Sequence, residues 1–261
     1  MAFTLKKYSM YLWNEFELNF KGRYGARGEP RGARRNKTPR EIEYQNRWNK
    51  RKYIRRLIKL NFTDGLYATL TYKVENRKQM AGVKKDFELY RKRLRRRYRK
   101  RGGDLKYIYT IEIGSRGGVH IHMIVNRIPG ENTDKVISEQ WKMGHAHIQT
   151  LYEDGDYEQL ACYMAKVPQE ETGENKRSRI ERMEDITEES YDYNTSRNLI
   201  KPEPEVKVYK NRTVKKMIED GPTPTPGYYI IKDSIRTGVN PFTGMSYLYY
   251  TEKLIKKKRR E

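Results

Sequence analysis

One cysteine, Cys162, in 261 residues excludes an internal disulfide framework and a Cys-rich zinc site, and fits a reducing compartment. Long apolar runs are missing too. The opening "MAFTLKKYSMYLWNEFELNF" is broken by charges, and no uncharged stretch reaches membrane-spanning length, so neither a secretory segment nor a membrane anchor is expected and the chain reads as cytoplasmic. Acids are scarce: 34 Asp and Glu face 56 Lys and Arg, a formal charge of +22 that favours a polyanionic partner, because each phosphate contact releases condensed counterions. No G-x4-G-K-S/T nucleotide loop is present, which excludes a fused helicase of that kind. Histidine occurs only four times, so two pairs spaced one residue apart stand out.

What the chain has in quantity is basic charge and 22 tyrosines, whose rings stack on unpaired bases when they lie between cations. Its punctuation suggests four stretches. Residues 1–60 read as a basic N-terminal extension, with strand-like residues, then the Gly- and Arg-rich "KGRYGARGEPRGARRNK" and a helix to about Leu60. "TPRE" opens that helix with Thr38 as N-cap, Pro39 at the first position and Glu41 at the third. Ile42, Trp48, Ile54, Leu57 and Ile58 are its expected buried side, opposite a strongly basic exposed one. Residues 61–170 read as the main domain, 171–205 as a charged linker or insertion poor in apolar residues, and 206–261 as a C-terminal addition with a basic tail.

Within the main domain "LYATLTYK" predicts a strand from Leu66 to Lys73, followed by a helix from about Lys78 to Arg101. Val83, Phe87, Tyr90, Leu94 and Tyr98 are its apolar stripe, and "RKRLRRRYRKR" supplies a face expected to meet phosphates. Strands in "LKYIYTIEI" and "VHIHMIVN", a helix over Thr133 to Lys142, a strand in "GHAHIQTL" and a helix over Asp156 to Val167 complete the series. This is an α+β pattern, β-α-β-β-α-β with one more helix, the ferredoxin-like antiparallel arrangement.

Alternation across a strand puts His120 and His122 on one face, and Val119, Ile121, Met123 and Val125 on the other. If Ile113 pairs with Val119 across the "GSRGG" loop, Glu112 falls opposite His120, and Thr110 opposite His122. One carboxylate and two imidazoles then converge as part of a divalent-metal shell, with Glu112, His120 and His122 as the candidate ligands. The plainer explanation of a His-x-His strand is polar surface packing. His145 and His147 form a second pair, without a carboxylate that can be placed across from it, and read as structural or supporting groups.

In "DYEQLACYMAKVP", Gln159, Tyr163 and Lys166 share one helical face beside the apolar stripe of Leu160, Met164 and Val167. A tyrosine next to a metal is a candidate nucleophile toward phosphorus, and Lys166 is a candidate source of positive charge for the phenolate or the transition state.

Taken in order, "LYATLTYK", "E-x7-HIH" and "CYMAK" resemble the three motifs of rolling-circle replication initiators of the HUH endonuclease superfamily, named for His, hydrophobic residue, His. The flanking "TPREIEYQNRWNKRKYIRRLIKLNF" and "SRNLIKP" resemble replication-associated proteins of bacterial rolling-circle elements and filamentous phages. The resemblance implies His120, His122 and Glu112 as ligands of Mg²⁺ or Mn²⁺, Tyr163 as nucleophile and Lys166 as its accompanying lysine. It further implies nicking of one origin strand, a covalent 5′-phosphotyrosine, a free 3′-hydroxyl that primes synthesis, and a bacterial setting with a separate helicase and host polymerase. Tyr157, six residues before Tyr163, does not have the spacing of a second nucleophile. A single-tyrosine transposase of the same superfamily uses the same His-then-Tyr order, and a non-catalytic basic nucleic-acid-binding protein also accounts for the charge.

Overall fold

The computed structural model describes residues 3–20, 35–113, 118–165, 193–209 and 214–255. Two compact units divide the chain: residues 43–201 form one, and residues 1–42 with 202–261 the other. The chain starts with the antiparallel pair β1 (Phe3–Met10) and β2 (Trp13–Phe20). Helix α1 (Pro39–Asn61) opens on the capping box expected from "TPRE": the Glu41 amide donates to Thr38 Oγ1 at 3.2 Å and the Thr38 amide to Glu41 Oε2 at 2.9 Å. Arg35 adds a guanidinium hydrogen bond of 2.8 Å to the same carboxylate.

That Arg35 bond, then the Thr38 amide, holds the Glu41 carboxyl down at about 2, against a usual 4.5. A depressed carboxylate stabilises the fold above its unfolded pKa and loses that contribution as pH falls through the folded value, here between about 4.5 and about 2. A carboxyl-carbon NMR titration of Glu41 is therefore expected to show a midpoint near 2; a midpoint near 4.5 would mean that the cap does not hold in solution.

The central unit runs β3 (Leu66–Thr71), α2 (Met80–Lys100), β4 (Tyr107–Ile113), β5 (Val119–Val125), α3 (Thr133–Gln140), β6 (Ala146–Thr150), α4 (Glu158–Ala165) and β7 (Asn194–Thr195). Its five strands are ordered β6-β3-β5-β4-β7, and every neighbouring pair is antiparallel. The α+β class and the β-α-β-β-α-β succession are those expected. β7 is an additional edge strand from the end of the stretch read as a linker, of which residues 171–192 lie outside the described residues.

Each face of this sheet has its own core. On one, Leu66, Ala68, Leu70, Ile111, Val119, Ile121, Met123 and Val125 pack against the predicted stripe of α2 (Val83, Phe87, Tyr90, Leu94, Tyr98) and against Val136 and Ile137 of α3. On the other, Ile108 and Ile124 are covered by Ile54, Leu57 and Ile58 of α1 and by Ala161, Met164 and Ala165 of α4. Two expectations for α1 need correcting. Ile42 is exposed, and the basic side is partly buried: Arg51, Arg56 and Lys59 are among its buried residues. Arg51 pairs with Glu158, Arg55 does so at 2.5 Å, and Lys59 lies 3.5 Å from Asp156, so these cations meet acids at the start of α4. A carboxylate in the first turn also suits the helix dipole. The charge on α1 thus helps to seat the tyrosine-bearing helix.

The other unit joins β1 and β2 to β8 (Glu205–Tyr209), α5 (Val214–Asp220), β9 (Tyr228–Ile230), β10 (Arg236–Asn240) and β11 (Met245–Leu254). β8 pairs with β1, and β11 with β2, in the antiparallel order β10-β11-β2-β1-β8, with β9 also on β11. The two chain ends, expected as separate additions, therefore share one sheet. Phe16 and Tyr250 stack in its core at 4.5 Å between ring centroids. Among the described residues no helix is long and apolar enough to cross a membrane.

Candidate active site

The register of β4 on β5 is the one expected from the "GSRGG" loop: Ile113 pairs with Val119, Glu112 with His120 and Thr110 with His122. β3 extends both rows, with Thr71 opposite His120 and Thr69 opposite His122. Past the apolar cover over Ile108 and Ile124, this sheet face becomes polar, and α4 delivers Tyr163 to that boundary. Met164 and Ala161 bury toward the sheet, and Tyr163 remains 37% exposed.

The Tyr163 hydroxyl lies 2.5 Å from Glu112 Oε2 and 2.7 Å from His122 Nε2, and the tyrosine ring stands edge-on to the imidazole, at 82° and 4.8 Å between centroids. On the far side of the ring, His122 Nδ1 is 2.8 Å from the Tyr67 hydroxyl and 3.3 Å from Thr69 Oγ1. A phenol has one hydrogen, and the shorter contact assigns it to Glu112. The matching tautomer has His122 Nε2–H donating to the phenol oxygen and the Tyr67 hydroxyl donating to Nδ1. The result is a chain of hydrogen bonds, Tyr67 to His122 to Tyr163 to Glu112.

Burial, then the hydrogen bond to Glu112 and its charge, push the Tyr163 phenol well above its usual range. Tyr67 is raised as well, chiefly by burial and against the opposing Thr69 hydrogen bond. At neutral pH the nucleophile candidate is therefore protonated, and a proton acceptor is already in contact with it.

His120 stands opposite Glu112 with its ring centroid 6.2 Å from that of His122. Its Nε2 and the guanidinium of exposed Arg77 flank Gly118, where a methyl group would lie 3.7 Å from the imidazole nitrogen and 3.8 Å from Arg77 Nη2. Glu112 and His122 converge on a single point, occupied by the phenol oxygen. Among the described residues no three His, Cys, Asp or Glu side chains stand together closely enough to hold a metal ion. Glu112 Oε2 and His122 Nε2 are 3.6 Å apart. One carboxylate and two imidazoles on one face nevertheless fit a divalent ion in chemical kind, and the groups at Nδ1 hold the His122 ring in orientation.

The second histidine pair is not brought in. His147 pairs with Thr69 on the edge strand β6, two strand spacings or about 10 Å from His122, and both His145 and His147 are exposed. The His145 carbonyl accepts from the Thr71 amide at 2.9 Å. Lys166 and Val167 lie outside the described residues, and Gln159 is exposed. Tyr157 does not reach the site, because its hydroxyl donates to the Tyr152 carbonyl. Tyr67, Thr69 and Arg77 were not singled out from sequence. For the first two a signal existed: alternation in "LYATLTYK" puts Tyr67, Thr69 and Thr71 on one face, opposite Leu66, Ala68 and Leu70.

A phenol held between a carboxylate and an imidazole on an open sheet face, in a strongly basic chain, defines a candidate nucleophilic site for a polyanion. Residues 65–168, which run from the start of β3 to just past α4, match the family model of the ORF2-type replication-associated proteins. That similarity supports a role in replication initiation and interaction with DNA, and it is compatible with nuclease activity. No curated protein and no solved structure matches the chain.

Proposed function

We propose that this chain is a single-tyrosine HUH endonuclease on a ferredoxin-like sheet, which nicks and rejoins one DNA strand to start rolling-circle replication. The observation that carries this reading is the contact of the Tyr163 hydroxyl with both Glu112 and His122. In the proposed reaction the phenol gives its proton to this acid–base pair as its oxygen attacks phosphorus. The bond from phosphorus to the 3′-oxygen breaks, the departing 3′-oxygen takes up a proton, and the 5′-phosphate remains on Tyr163. The 3′-hydroxyl so formed primes synthesis, and its attack on the phosphotyrosine reverses the step. Mg²⁺ or Mn²⁺, held by Glu112, His120 and His122, would supply positive charge to the scissile phosphate. For Glu112 and His122 to serve as ligands, the phenol must first swing off them. Arg77, exposed beside His120, offers a guanidinium to the phosphate, and Lys166 is assigned a similar supporting role. The setting is a bacterial cytoplasm, with unwinding and synthesis left to a separate helicase and the host polymerase.

The test is incubation with end-labelled single-stranded oligonucleotides from the chain's own replicon, with Mn²⁺ or EDTA, followed by a denaturing gel and peptide mapping. The expected result is a metal-dependent adduct mapped to Tyr163 and a free 3′-hydroxyl fragment. Binding of origin DNA with neither cleavage nor adduct would instead identify a non-catalytic DNA-binding protein.

A further inference from the structure

The most basic helix of the central unit is on the wrong side of the sheet to serve Tyr163. α2 packs on the face lined by Leu70, Ile121 and Met123, whereas Glu112, His120, His122 and Tyr163 belong to the opposite face. A sheet and a helix diameter separate the outer surface of α2 from the phenol, on the order of 15 Å.

Some cations of this helix have local partners. Arg91 donates to the Tyr107 hydroxyl at 2.7 Å, Arg93 to the Gln140 carbonyl at 2.9 Å, Arg97 to Glu131, and Lys92 lies 2.8 Å from Glu88. Arg95, Arg96, Arg99 and Lys100 are different: all four are exposed and none forms a salt bridge among the described residues. They form two i,i+4 pairs, Arg95 with Arg99 and Arg96 with Lys100, pointing away from the buried stripe. Like charges at that spacing weaken a helix, so this surface opposes its own folding unless an anion neutralises it.

We propose that the outer face of α2 docks the phosphate backbone of duplex DNA flanking the strand held at Tyr163. This rests on the DNA-acting reading above, but not on the nicking chemistry. Duplex is favoured over single strand because no exposed aromatic accompanies the four cations: Tyr90 and Tyr98 are buried, so unpaired bases have nothing to stack on there. What remains is a rigid row of charges that contacts phosphates without reading bases. The two faces of the sheet would then divide the work, one taking the strand to be cut and the other the duplex beside it.

The experiment compares the full chain carrying Tyr163→Phe with the same chain also carrying Arg95→Gln, Arg96→Gln, Arg99→Gln and Lys100→Gln. Fluorescence anisotropy would follow binding to a random-sequence duplex of about thirty base pairs across a salt series. The expected result is affinity at least tenfold weaker near physiological salt, and a log–log salt slope shallower by about 3 to 4, since each neutralised phosphate contributes roughly 0.9. With Tyr163 intact, the glutamine variant should cleave a short single-stranded oligonucleotide within about twofold of wild type. An unchanged duplex affinity and slope would overturn the proposal. Equal losses on duplex and short single strand would also overturn it, because they would put α2 on the path of the cut strand. If wild type nicks nothing, the duplex arm still gives its answer. Unchanged melting temperatures control for folding; should the fourfold variant fail to fold, the double variants R95Q/R99Q and R96Q/K100Q are each expected to show about half the change in slope.

Discussion

Replacing Tyr163 by phenylalanine is expected to abolish the covalent DNA adduct and strand cleavage while leaving the chain folded. The change deletes one oxygen and the hydrogen bonds it makes to Glu112 and His122. The ring is 37% exposed, so both partners can turn to water, and the cost in stability should stay within about 1 kcal/mol. Chemistry has no such substitute, because a benzene ring cannot attack phosphorus. The nearest rival hydroxyls are misplaced: that of Tyr67 lies behind His122 at Nδ1, and that of Tyr157 is bound to the Tyr152 carbonyl. Unchanged urea unfolding together with complete loss of adduct is the expected pair of measurements. A variant that still forms an adduct would move the nucleophile elsewhere and remove the main support for the proposed function.

Much of this site was legible because a β-strand has a period of two. From "YIYTIEI" and "VHIHMIV" alone the pairing of Glu112 with His120 follows once a short loop is assumed, and the observed register is that one. α2 was legible for a similar reason: its five predicted apolar positions are its five buried ones. Other features depend on long-range partners. The burial of Arg51 and Lys59 could not be read from a helix that looks basic on its surface, because Glu158 and Asp156 lie some hundred residues downstream. β8 and β10 were missed because "EVKVY" and "RTGVN" are short and largely exposed edge strands, with few apolar residues to set a pattern. The sharing of one sheet by both chain ends is likewise set by pairing between β1 and β8 and between β2 and β11, which local pattern does not encode.

The largest loss of stability is expected from a glycine with no evident chemistry. Gly144 lies where the segment before β6 runs against the end of β3, between two backbone hydrogen bonds, Lys73 amide to Met143 carbonyl at 3.0 Å and Thr71 amide to His145 carbonyl at 2.9 Å. A Cβ at position 144 would meet the Thr71 carbonyl oxygen at 2.0 Å and the Lys73 amide nitrogen at 2.8 Å, both backbone atoms that no side-chain rotation can clear. The same Thr71 oxygen accepts from Trp141 Nε1 at 2.9 Å, so moving it disturbs the core on the α2 face as well. Overpacking and the loss of two or three hydrogen bonds add to on the order of 3 kcal/mol for Gly144→Ala. Gly82→Ala is the contrasting case. It lies within α2, its Cβ would touch only the flexible side chain of Lys78 at 3.1 Å, and it should stabilise the helix by about 0.5 kcal/mol. Urea midpoints moving in opposite directions for the two alanines are the expected outcome, and a Gly144→Ala midpoint at or above wild type would refute the close approach. Because Thr71 pairs with His120, strain at Gly144 should also reach the site, so adduct yield is expected to fall in the fraction of Gly144→Ala that still folds.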